Sequence, residues 1–185
     1  MGLLARWGGY LAIAGGAVMT VLLVVVTFGG DPDSPAWNLF FLVVALLGAG
    51  ALGLAERTKG VIGQLGRVSA WVSALGALGL LLVGAYAMAT GQYSTSATGD
   101  DPLLPLWIVT SLAWLLGALG FAAALVRARA LSPIGAWLVL VGAVVGAVGA
   151  AAGGENPPPA LFLVFVLFGV GWMVLGYAAT REPAG

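Results

Sequence analysis

Five carboxylates form the one cluster in this sequence with an evident capacity for chemistry. Asp31 and Asp33 lie in GDPDSP, Asp100 and Asp101 in GQYSTSATGDDP, and Glu155 in GGENPPP. Carboxylate oxygens gathered from three segments on one face could hold a hard cation such as calcium. Their spacings match no calcium loop, and the competing reading is that acidic side chains keep these connections solvated. A second group is aromatic. Tyr86, Trp114 and Trp172 lie within apolar stretches and could wall an apolar pocket, or fill space between helices. Other chemistry has no residues to use. The chain holds neither His nor Cys, which removes Ser–His nucleophiles, thiolates, iron–sulfur clusters and histidine-ligated metals. No glycine-rich phosphate loop ends in Lys; the single lysine, Lys59, stands between apolar stretches. No catalytic residue, resident metal or cofactor is expected, and the chain is read as a non-enzyme.

The elements that would position these residues follow from composition. Of 185 residues, 61% are hydrophobic and 8% charged, whereas a soluble domain carries about 25% charged residues. So few charges cannot cover a water-soluble globule, and the class is integral membrane protein. Six stretches approach the roughly 20 apolar residues needed to cross the hydrocarbon layer: 7–28, 36–55, 68–90, 103–126, 134–153 and 160–179. They are apolar all round, where barrel strands would alternate. The expected fold is therefore all-α, six transmembrane helices in a single domain. The opening stretch is too long for a cleaved leader and is read as a retained first helix. No Asp, Glu, Lys or Arg falls inside a span, which argues against a proton relay, a proton-coupled carrier, an aspartyl intramembrane protease or a retinal Schiff base.

The charges then set direction. Arg6, Arg57, Lys59, Arg67, Arg127, Arg129 and Arg181 all lie in alternate connections or at the termini, and only Glu56 and Glu182 join them. The excess of Lys and Arg on one side places that side, and both termini, in the cytoplasm. An Arg-biased chain rich in Ala, Gly and Val reads as bacterial, hence the plasma membrane. Net charge is zero and no basic face is present, so nucleic acid is not an expected partner.

A pattern recurs in the odd spans: two small residues, an aromatic, four residues, two small residues. It occurs as Gly8-Gly9-Tyr10 with Gly15-Gly16, as Ser69-Ala70-Trp71 with Gly76-Ala77, and as Gly135-Ala136-Trp137 with Gly142-Ala143. The even spans share LLGAG at Leu46, LLGAL at Leu115 and LFGVG at Leu167. Together these predict three tandem helical hairpins, about residues 1–59, 60–130 and 131–185. Small residues also recur every fourth position, at Gly8, Ala12, Gly16 and Thr20, at Ala45, Ala49 and Gly53, and at Gly142, Gly146, Ala150 and Gly154. Such stripes let helix backbones approach closely, within the chain, in a homo-oligomer or against a membrane-protein partner. The fifth span carries little that is large after Trp137 and is expected near the centre.

The three-hairpin layout resembles the HdeD-like acid-resistance membrane proteins, which also repeat a two-helix unit. The size resembles the substrate-binding subunits of energy-coupling-factor vitamin transporters, which dock through small-residue faces compatible with Gly8 to Thr20. Both resemblances rest on layout, and neither assigns a role to a residue. The functional expectation is a non-enzymatic membrane protein acting through lipids or protein partners, with an envelope-stress role implied by the first resemblance. The alternative is a small transporter, or a transporter's substrate-binding subunit, for an apolar or amphipathic solute.

Overall fold

Backbone amides in hydrocarbon must find partners inside their own segment, which favours helices for apolar stretches of this length. A computed structural model describes residues 3–29, 38–90, 103–152 and 159–181, with side chains described for 3–25, 38–90, 103–145, 147–148 and 165–181. Six helices are present among the described residues: α1 (Leu3–Gly29), α2 (Asn38–Arg57), α3 (Gly63–Thr90), α4 (Leu104–Ala128), α5 (Pro133–Ala152) and α6 (Pro159–Arg181). No strand occurs among the described residues. Among the described residues, four helices are long and apolar enough to cross a membrane: Leu3–Val25, Asn38–Arg57, Gly63–Thr90 and Leu104–Ala128. The fully described parts of the last two, Pro133–Val145 and Phe165–Arg181, are apolar but shorter.

The helices outrun the hydropathy pattern where polar residues begin. α1 starts at Leu3 rather than Trp7, and α3 at Gly63 rather than Val68. Helical hydrogen bonding does not require an apolar side chain, so Gln64 and Arg67 continue the α3 helix. Prolines mark three starts, because the first turn has amide protons to spare. α4 has one in its first positions, and α5 and α6 begin on Pro133 and Pro159. Ser132 caps α5: its hydroxyl accepts from the Gly135 amide at 3.3 Å, and its carbonyl from Ala136 at 3.1 Å. α4 ends in a left-handed cap at Arg129, φ 51° and ψ 34°. There the Arg129 amide donates to the Val126 carbonyl at 3.2 Å and the Ala130 amide to the Leu125 carbonyl at 3.1 Å. This is a Schellman arrangement with arginine at the position glycine usually takes. Leu131, at φ 56°, is also left-handed. Between α2 and α3, the Thr58 hydroxyl and amide both donate to the Leu54 carbonyl, at 2.8 and 3.0 Å.

Each helix packs on the next in sequence, and α6 returns to α1, so the contacts form a closed ring. α2 also touches α4 and α6. The even helices therefore meet inside the ring, and each odd helix wedges between two even ones. This corrects the expectation for the fifth span. α5 packs against α4 and α6, while Ile134, Trp137, Val141, Val144 and Val148 are exposed. Its small residues mark close approach to a neighbour, not depth in the molecule.

The interior is aromatic, and the even helices supply it. Trp114 meets Phe40 edge-on at 6.2 Å and Phe168 at 5.5 Å, linking α4 to α2 and to α6. Trp172 stacks on Phe121 at 6.2 Å and meets Phe168 edge-on at 6.1 Å. Trp172, Phe121 and Phe168 are fully buried. The outer faces are apolar as well: Leu65, Val68, Trp71, Leu75, Leu78 and Leu82 are all exposed along α3.

Candidate functional site

Of the three aromatic residues that could wall a pocket, the structure brings two together. Trp114 and Trp172 belong to one packed cluster through Phe168. Tyr86 stands apart on α3 and is exposed. Both indole nitrogens, Trp114 Nε1 and Trp172 Nε1, are buried without a hydrogen-bond partner, as are Thr20 Oγ1 and Ser73 Oγ. An N–H or O–H left unpaired in an apolar interior costs about 1–3 kcal/mol, which tryptophan offsets here by filling volume. Thr110 avoids that cost by donating to the Leu106 carbonyl at 2.8 Å within its own helix.

The acidic rim, Asp31, Asp33, Asp100, Asp101 and Glu155, lies outside the described residues. Among the described residues, no three of Asp, Glu, His or Cys come together as a metal set.

The small-residue stripe on α1 is wedged between its two neighbours. A methyl placed on Gly8 would come within 2.5 Å of Gly53 Cα on α2. Ala12 backs onto Gly50, whose added Cβ would lie 3.0 Å from the Ala12 nitrogen. Gly16 lies against the Gly169 carbonyl on α6, where a Cβ would also meet Met173 Cγ at 3.0 Å. On α5, a Cβ on Gly142 would come within 2.5 Å of the Phe168 nitrogen. Gly146 and Ala150 lie outside the residues whose side-chain surroundings are described.

The residues that form a recess are others. At the end of the molecule where α2 finishes and α1 and α3 begin, a cleft of about 350 Å³ is lined by Leu3, Leu4, Leu52, Ala55, Glu56, Arg67 and Trp71. Its walls are mostly apolar, with one carboxylate and one guanidinium. Lys59 donates to the Glu56 carboxylate at 2.7 Å, an exposed pair of small energetic weight. Arg67 and Trp71 are one turn apart on α3, so they share a face. That spacing is visible in the sequence. What is not visible there is that Glu56, Leu3 and Leu4 are brought beside them. At the end of α6, the Arg181 guanidinium lies 4.5 Å over the Tyr177 ring, a cation–π contact of about 0.5–1 kcal/mol when exposed.

No protein-family model matches the chain, and neither a curated protein nor a solved structure shows significant similarity to it.

Proposed function

We propose that the chain is a multi-pass membrane protein of six spans, arranged as three tandem hairpins with both termini cytoplasmic. In this reading it acts without catalysis, through the lipids and membrane proteins around it. The observation that carries the reading is the distribution of side chains. Large apolar residues face outward along the helices, aromatic rings fill the space between the even helices, and no charged side chain is buried among the described residues. Water gains nothing from such an exterior, whereas lipid tails are as apolar as leucine.

The hairpin reading draws support from a threefold recurrence of contacts. Gly50, Gly117 and Gly171 each lie against a backbone nitrogen, that of Ala12, Ser73 and Val139 respectively. Those partners stand two residues after Tyr10, Trp71 and Trp137, which are themselves 55%, 57% and 56% exposed. In this register Leu47, Trp114 and Phe168 correspond, as do Ala51, Ala118 and Trp172, and Leu54, Phe121 and Leu175, and all nine are buried. The register pairs Gly117 with Gly50 and Gly171, two residues away from the pairing suggested by LLGAG, LLGAL and LFGVG. Trp172 corresponds to two alanines in this register, so the three repeats do not contribute equal side chains.

The alternative, a carrier of an apolar solute, requires an opening beside Trp114 and Trp172, where edge-on and stacked rings now sit. Two experiments test the proposal. The chain has no cysteine, so single variants report sidedness cleanly. Lys59→Cys and Ala130→Cys are expected to resist an impermeant maleimide in intact cells, and Asp33→Cys and Ser96→Cys to react. The reverse pattern overturns the topology. Native mass spectrometry of the chain released from nanodiscs is expected to show lipids, or a second polypeptide at fixed stoichiometry. A reproducible non-lipid small molecule would favour the carrier instead.

A further inference from the structure

The cleft at the basic end combines features that suit one kind of occupant. It opens between α1 and α3 over the end of α2, and its walls continue onto outward-facing apolar residues. Leu3, Leu4 and Trp71 line it and are themselves exposed. An apolar slot open sideways onto a hydrophobic exterior fits a hydrocarbon chain arriving from the same surroundings. Arg67 stands within the cleft, and Arg57 and Lys59 belong to the same end of the molecule. The guanidinium is a planar fork of N–H donors that matches two phosphate oxygens at once. The one carboxylate present, Glu56, is engaged by Lys59 at 2.7 Å. Within the lining Glu56 and Arg67 balance; with Lys59 and Arg57 counted as well, one acid stands against three bases and this end carries two positive charges.

We propose that this cleft binds a phospholipid with a net-negative headgroup, its phosphate on Arg67 and an acyl chain along Leu3, Leu4, Leu52 and Trp71. The proposal rests on the membrane reading above. In the six-span topology the cleft lies at the cytoplasmic interface, where a negative leaflet surface supplies such lipids. Trp71, one turn beyond Arg67, offers an apolar ring to the chain and an indole N–H able to donate to the glycerol ester, the amphipathic role tryptophan takes at interfaces.

The test uses the full chain in nanodiscs of equal phosphatidylcholine and phosphatidylglycerol, released for native mass spectrometry. The unmodified protein is expected to retain phosphatidylglycerol in preference, with one molecule held beyond the rest. Arg67→Gln should reduce that preference about tenfold, the scale of a lost charge-assisted pair. Arg67→Lys should keep part of it, since charge remains and the fork is lost. Trp71→Ala should weaken retention of both lipids. Arg127→Gln, which removes a basic charge outside the cleft, should leave the preference unchanged. Circular dichroism confirms that each variant keeps its helices. Equal retention by Arg67→Gln and the unmodified chain overturns the site, as does an equal loss on Arg127→Gln. Retention of phosphatidylcholine and phosphatidylglycerol alike, or of a non-lipid mass lost on Arg67→Gln, overturns the choice of occupant. A chain that stays dispersed in buffer without nanodiscs or detergent fails the membrane reading itself, a result distinct from any of these.

Discussion

Adding one methyl group at Gly76 would bring a Cβ within 2.7 Å of both the Thr110 carbonyl oxygen and Trp114 Cα. Carbon atoms in good contact sit about 3.5–4.0 Å apart, so α3 and α4 would have to separate by roughly 1 Å. The obstructing atoms are backbone and cannot rotate away. The contact is reciprocal, because a Cβ on Gly117 of α4 would lie 2.6 Å from Ser73 Cα and 2.7 Å from the Ser69 carbonyl oxygen. Overpacking of this kind costs about 1–3 kcal/mol, and rigid neighbours put it near the top of that range. Alanine returns about 1 kcal/mol of helix propensity over glycine. The net expectation for Gly76→Ala is a loss of about 2 kcal/mol, roughly a 30-fold shift toward the unfolded state. Gly60 supplies the control. It has nothing within 4 Å of an added Cβ, so Gly60→Ala should change stability by under about 0.5 kcal/mol. Reversible unfolding in mixed micelles, titrated with a denaturing detergent, reads both. If Gly76→Ala and Gly60→Ala unfold at the same midpoint, α3 and α4 are not in backbone contact at Gly76, and the packing argument fails.

Substitutions at two further positions address other parts of the fold by the same titration. Trp172→Ala should cost about 3–5 kcal/mol, as for a fully buried large ring, whereas Trp172→Phe should stay within about 1 kcal/mol, since it keeps a ring against Phe121 and removes an N–H without a partner; equal loss in both would mean the indole nitrogen has a partner after all. Arg129→Gly should raise stability by about 1 kcal/mol, because a left-handed backbone is strained for arginine and not for glycine; no gain would show that the α4 cap relaxes out of that conformation.

The helices were legible in the sequence because the stretches that form them are long, apolar and bounded by Pro, Gly and charge. All six predicted stretches correspond to helices, with ends displaced by up to five residues where Gln64 and Arg67 continue a turn. Facing was not legible. When a helix is apolar on every side, its composition carries no direction, and α5 illustrates the error. Its glycines suggested a central place, yet Gly142 records only how near α6 approaches. The aromatic interior was half visible. Trp114 and Trp172 stand inside their apolar stretches, but nothing in one sequence tells that Phe168 lies between them or that Tyr86 lies elsewhere. The cleft was hidden for another reason. Arg67 reads as a topology signal and Trp71 as part of a recurring pattern, and each reading is complete without the other. Only the neighbouring ends of α1 and α2 make them walls of one space.

The closing of the ring by α1 and α6 has a consequence for how the molecule is made. About 150 residues separate the end of α1 at Gly29 from the end of α6 at Arg181. At synthesis rates of about 5–20 residues per second, the first helix waits roughly eight to thirty seconds for its last neighbour. Over that interval the side of α1 carrying Gly9 and Gly16, which finally rests on Gly176 and Gly169, has no protein against it. In water an apolar surface left uncovered for so long invites aggregation. In a bilayer the same surface meets acyl chains and loses little by the delay. A ribosome can therefore leave the seam between the first and last helices open until the end, and the order of assembly is set by the solvent as much as by the chain.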